Sequence, residues 1–284
     1  MSAAKPPSVR PLLLVARQEL LLAVRSRWTQ IFAAVFGVLC LTVASSGYVL
    51  SGGHGVQDFA RTAASLVQLV LLLVPLTALL IGVLSFAPDR GAAELLFSQP
   101  VSRATILLGK LLGLLEALAG AEALGFGAAG LVIFSQSGEE GVLGFLLVFA
   151  GAIVLTVVFL GIAALLGAAA VGRRRTRALA LALVVWFAAV ILFDVAALGL
   201  ASLLPSGSAS RVLIVSVLVN PVDAVRTAAL LGIEGAAAFG AASLAFLRFT
   251  KGPAGAALLL ALSVLVWVTV PAAVAVKRLR KADM

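Results

Sequence analysis

The sequence predicts an all-α polytopic membrane protein with six transmembrane helices. Three observations carry that prediction. Six predominantly apolar runs each reach the roughly 20 residues that a helix needs to cross the hydrocarbon core. Only 12% of residues are charged and 62% are hydrophobic, where a soluble domain carries roughly twice that charged share; mean hydropathy is +1.18. The positive charges, finally, gather at the ends of the apolar runs and favour alternate connections.

Residues 10–27, RPLLLVARQELLLAVRSR, precede the first run and read as an interfacial helix. On a helical wheel Arg10, Arg17, Gln18 and Arg25 share one arc, with Leu13, Ala16, Leu20 and Ala23 largely away from it. Glu19 falls off the polar arc. The alternative is a basic stop before a signal anchor. The runs themselves are Thr29–Leu50, Thr62–Ala87, Thr105–Phe134, Val142–Val171, Ala178–Leu204 and Pro253–Val276. Loops fill the rest, so residues 1–284 are expected to form a single membrane domain. Thr42-Val43-Ala44 loosely resembles a signal cleavage site, but the basic stretch before it is longer than a usual n-region. The first run is therefore read as an uncleaved span.

Sixteen of the 21 Lys and Arg residues fall on one side of such a topology. They are Lys5, Arg10, Arg17, Arg25 and Arg27; Arg90, Arg103 and Lys110; Arg173, Arg174, Arg175 and Arg177; and Lys277, Arg278, Arg280 and Lys281. Arg61, Arg211, Arg226, Arg248 and Lys251 fall on the other. The positive-inside rule then puts both termini in the cytoplasm. This distribution, rather than a basic patch, accounts for the net charge of +9, and no nucleic-acid partner is expected.

Between spans two and three lies a polar connection, residues 88–103. Pro88-Asp89 starts a short helix with Asp89 as N-cap. Glu94 comes early in it, Leu95, Leu96 and Phe97 come late, and it stops before Pro100. Ser102 then caps the next helix. A short amphipathic helix between two spans has no need of lipid and reads as a docking surface. Pro75, near the middle of span two, predicts a kink unless neighbours satisfy the freed carbonyl.

Span three carries Gly109, Gly113, Ala117, Ala121, Gly125 and Ala129 at intervals of four, a ridge of small side chains. In lipid such a ridge lets backbones approach closely, so span three belongs inside the bundle or at a subunit seam. On the same helix Glu116 and Glu122 fall about 9 and 18 Å beyond Lys110 at about 1.5 Å per residue. A carboxylate at the centre of a span costs about 2.5–3.5 kcal/mol on insertion scales. Glu122 and Asp194 of span five are deep, and Glu116 is nearer the headgroups. These acids either line a polar path or are protonated or paired between helices.

The segment 205–252 is predicted as outer-side helices lying on or dipping into the bundle. Asn220-Pro221 is a helix start, an N-cap followed by proline in the first turn, and Asp223 and Arg226 are spaced to pair. Residues 228–247 are apolar enough to suggest a seventh span. Their Ala and Gly content, Glu234 and the charge rule argue against it.

Several chemistries are not supported. No GxxxxGK[ST] occurs, so the chain has no P-loop. His54 is the only histidine, and Cys40 and two terminal methionines leave no relay of soft ligands for copper. No metal site, no catalytic triad and no cofactor are expected, and the chain is not read as an enzyme.

Two strings carry a resemblance. The order D-R-G-x-x-E-L-L-x-S-Q-P-V-S-R from Asp89, then five residues, then G-K-x-x-G from Gly109, resembles the signature of type-2 ABC permeases. The R-Q-E-L…R-S-R-W of the first helix is similar to the interfacial helix of that family. The resemblance implies a bacterial inner-membrane permease that works as a dimer with two copies of a separate ATPase. ATP and Mg would be held on that partner. It also implies that 88–103 is the cytoplasmic coupling helix, with Asp89, Arg90, Gly91, Glu94, Leu95, Leu96, Phe97 and Pro100 as its contact residues. N-P-V-D-A-V-R, residues 220–226, resembles a motif of the NosY-like subgroup, which serves nitrous oxide reductase maturation. That implies a periplasmic partner protein and marks Asn220, Pro221, Asp223 and Arg226. A general exporter of drug, lipid or polysaccharide, and a membrane scaffold that transports nothing, are the alternatives.

Overall fold

The apolar runs fold as helices in the computed structural model, which describes residues 9–51, 56–87, 101–137, 142–169, 175–235 and 241–281. In chain order the helices are α1 (Val9–Arg25), α2 (Arg27–Ser51), α3 (Val56–Phe86), α4 (Arg103–Ser137) and α5 (Val142–Ala169). Next come α6 (Arg175–Phe187), a π-helical turn (Ala188–Leu192) and α7 (Phe193–Ser202), which together make one span. After them stand α8 (Ser206–Val219), α9 (Pro221–Glu234), α10 (Ala241–Phe249) and α11 (Pro253–Lys281). No strand occurs among the described residues. Six of these elements are long and apolar enough to cross a membrane.

α5 is the hub. It is apolar all round, with Thr156 its one polar side chain, and a helix of that kind belongs in the interior. α3, α4, α9 and α11 all pack against it. A string of rings runs from Phe32 through Phe36 and Phe126 to Phe145, with centroids 5.2–5.7 Å apart. It knits the first, third and fourth spans together, within the separation at which aromatic pairs attract beyond simple burial. The fifth and sixth spans are peripheral. Only 17% of their most apolar stretches is buried, against 56% for the second and fourth.

Sequence signals account for several ends. Ser102 caps α4, its Oγ accepting the Thr105 backbone N–H at 3.1 Å. Asn220 caps α9 by accepting the Val222 N–H at 3.1 Å, with Pro221 in the first turn. Pro75 lies inside the continuous α3. The proline leaves the Leu71 carbonyl without its helical donor, and the adjacent Leu72 carbonyl accepts the Trp186 indole N–H at 3.0 Å. The contact segment from Asp89 and Arg90 through Gly91, Glu94, Leu95, Leu96 and Phe97 to Pro100 lies outside the described residues.

α8 and α9 meet at Asn220 with a bend of 102°. A break of this kind leaves helix-end carbonyls needing donors. α11 supplies them: Ser263 Oγ donates to the Leu218 carbonyl at 2.6 Å and Trp267 Nε1 to Val219 at 2.9 Å. These donors stand four residues apart, one helical turn. The start of α9 then dips into the bundle, with Pro221 through Val225 buried against α5 and α3.

Candidate functional site

Among the described residues, two networks of several polar side chains interrupt the apolar interior. The first surrounds Lys110, two turns into α4. Its Nζ donates to the Ser85 carbonyl at 3.0 Å and to Ser85 Oγ at 3.1 Å, and stands 3.4 Å from Glu19 Oε2. Ser85 Oγ in turn donates to Glu19 Oε1 at 2.5 Å. Glu19 is buried, and its place off the polar arc of α1 now has a reason. The helix turns Ala16, Glu19 and Ala23 toward α4, and an acid on that face needs a cation in reach. Each half of the pair compensates the other's desolvation. Nearby, Arg103 Nη1 reaches the Leu279 carbonyl of α11 at 3.5 Å. Ser85 and Arg103 flank the 88–100 connection in sequence, and these flanking residues are tied to α1 and α11 respectively.

The small-residue ridge explains how α1 gets so close. A carbon added to Gly109 would fall 2.7 Å from Val15 Cβ and 2.9 Å from the Leu12 carbonyl. At Gly113 it would collide with the Ala16 carbonyl. Ala117 and Ala121 are buried, and farther along, a carbon added to Gly125 would fall 2.7 Å from the Phe36 ring and 3.3 Å from the Gly37 Cα. The ridge is thus filled from within the chain, by α1 at one end and α2 at the other.

The second cluster sits where α8 bends into α9. Arg226 Nη1 donates to Asp194 Oδ2 at 2.8 Å and lies 3.2 Å from Asp223 Oδ1. Asn220 Nδ2 donates to Asp223 Oδ2 at 3.1 Å and to the Ala189 carbonyl at 2.7 Å. That carbonyl belongs to the π turn, where the helical register slips. Asp194, one turn on, is carried beside the bend, and four residues from two distant stretches form one network. Asp223 and Asn220 are buried.

The three acids of the sequence reading part company. Glu116 is exposed on α4. Glu122, 1% exposed, accepts the Thr156 hydroxyl at 2.5 Å while its Oε2 has no hydrogen-bond partner. Asp194 belongs to the bend network. Sequence reasoning missed Ser85 and Thr156. Thr156 had a signal, as the one polar side chain in an apolar span opposite a deep acid.

The comparisons with known proteins agree with this architecture. The family described as "ABC-2 family transporter protein" matches residues 13–284. The chain belongs to the ABC-2 transporter family. It is similar to a protein named probable ABC transporter permease protein NosY from Pseudomonas aeruginosa, 34% identical over 237 residues, or 81% of this chain and 86% of that one. The protein of the same name from Stutzerimonas stutzeri is also 34% identical over 237 residues, covering 81% of this chain and 85% of its own. As an ABC-2 permease subunit the chain is a bacterial inner-membrane protein rather than an enzyme. Membership of the family implies an ABC ATPase partner. Within the ABC-2 permease, the Lys110 cluster holds the span ends that border 88–100, and the bend network holds the broken helix pair.

Proposed function

We propose that this permease couples ATP hydrolysis on a separate cytoplasmic ATPase to conformational work needed for the copper site of nitrous oxide reductase. The observation that carries this reading is the similarity to the two NosY permeases across four-fifths of the chain. The complex would contain two copies of this chain and two of the ATPase, which holds ATP and Mg. Both termini would face the cytoplasm, and a periplasmic protein would be the outer partner. Residues 88–103 would dock on the ATPase through Leu95, Leu96 and Phe97, with Asp89 and Glu94 orienting the helix. A push there would act on Ser85 and Arg103, and through Lys110 and Glu19 on α1.

On this reading copper would not pass through the chain, whose soft ligands are Cys40, His54 and two methionines. Cys40 is buried inside α2, and no three His, Cys, Asp or Glu residues converge among the described residues. Thiolate, thioether and imidazole are the ligands copper selects. The work proposed is therefore mechanical.

The test is complementation of a Stutzerimonas stutzeri strain lacking its NosY permease. The wild-type chain, expressed with its own ATPase, should restore nitrous oxide reduction. Leu96→Asp should insert normally but fail to restore it, and should co-purify with less than a tenth of the ATPase. Removing a buried leucine's contribution of about 1.5–3 kcal/mol is worth tenfold or more in binding. Val56→Asp, away from the docking segment, should behave as wild type. ATPase recovery equal for Leu96→Asp and wild type would refute the docking assignment. No complementation by a correctly inserted wild type bound to its ATPase would favour a general exporter.

A further inference from the structure

The bend network borders a cavity of about 270 Å3. An apolar cavity of about 150 Å3 holds benzene, so this one accommodates a body of about ten heavy atoms. Its apolar walls include Leu213, Ile214 and Val217 of α8, Leu231 of α9 and Phe246 of α10. Asp194, Asp223 and Arg226 also line it.

With both carboxylates ionised, the charges there do not balance. One guanidinium faces two carboxylates, and a single nitrogen, Nη1, makes both contacts. The Asp223 side chain is 7% exposed, yet its Oδ1 has no hydrogen-bond partner, and neither has Arg226 Nε. A carboxylate held away from water without full compensation is costly. What would complete the site is a positive group carrying N–H donors, attached to an apolar body that fills the walls. Anions would meet two carboxylates. A metal ion would find two acids already paired with Arg226 and, besides them, only the Ser210, Ser216 and Thr227 hydroxyls.

We propose that this cavity binds an organic monocation, a protonated amine on an apolar body of about ten heavy atoms. The ammonium sits against Asp194 and Asp223, and the body lies between α8, α9 and α10. The site is independent of how the permease couples to its ATPase.

The experiment uses the full-length permease in nanodiscs of phosphatidylcholine and phosphatidylglycerol, which carry no primary amine, at pH 8. The probe is radiolabelled octylamine, with protein-free discs subtracted. The expected result is saturable binding of one molecule per chain, at least tenfold tighter than octanol, with no competition from octanoate. Asp194→Asn should weaken it tenfold or more. Ala197→Phe, on α7 where Ala197 lines the cavity, fills it, leaves every charged group in place, and should abolish binding with the thermal midpoint unchanged. Non-saturable uptake, equal competition by octanol, or undiminished binding to Ala197→Phe would overturn the proposal. Discs containing phosphatidylethanolamine distinguish the source. Competition by that lipid makes its headgroup the natural ligand, and unchanged binding leaves a soluble amine; both support the site.

Discussion

At the scale of single residues, the buried acids show how little a charge in this bundle is left to itself. Glu122 depends on one hydroxyl from another span, and an isolated acid at that depth is expensive. Thr156→Val keeps the shape of the side chain and removes the hydrogen bond, stranding the carboxyl. A loss of about 1–3 kcal/mol is expected, read as a lower thermal midpoint of the detergent-solubilised permease. Combining Thr156→Val with Glu122→Leu should recover most of that loss, because replacing both partners of a buried polar pair is far cheaper than removing one. A double variant no more stable than Thr156→Val would show that Glu122 is stabilised by something other than the threonine. Of this arrangement the sequence showed one half. A lone acid in an apolar run announces a cost, but periodicity gives a face and a depth, not a partner 34 residues away.

At the scale of elements, the helices and their caps were legible and their neighbours were not. Run length and charge placement locate the six spans, while Ser102 and Asn220-Pro221 mark starts that their own hydrogen bonds explain. Interval-four glycines state that something packs closely, without saying what. The structure supplies α1 and α2. Substitution along the ridge should therefore discriminate by position. Gly113→Leu drives a side chain into the backbone of α1 at Ala16 and should detach that helix, read as accessibility of a cysteine placed at the buried Ala23. Gly120→Leu, on the same helix with nothing within 4 Å of the added carbon, should leave that cysteine protected. Equal labelling of the two variants would mean that α1 does not rest on this ridge. The joining of Asp194 to Arg226 was illegible for a different reason. It depends on a π turn and a one-residue break, and both shift register locally in ways that a fixed helical period does not express.

At the scale of the whole molecule, the sixteen-to-five division of basic residues makes the orientation testable. Reporter fusions at Gly138 should read outside, and fusions at Arg175 and Met284 inside. An outside reading at Met284 would make the bent α8–α9 pair a complete crossing rather than a dip from one face. Whole-molecule order in time follows from α1. Its seat, around Gly109 and Gly113, lies nearly a hundred residues downstream of the segment that occupies it. At synthesis rates of about 5–20 residues per second, α1 leaves the ribosome roughly 5–20 seconds before that seat exists. During that interval Glu19 lacks its partner Lys110, and the membrane surface can hold the basic, leucine-rich segment. α1 thus waits on the membrane surface for the third span, and its docking precedes the synthesis of the hub helix α5.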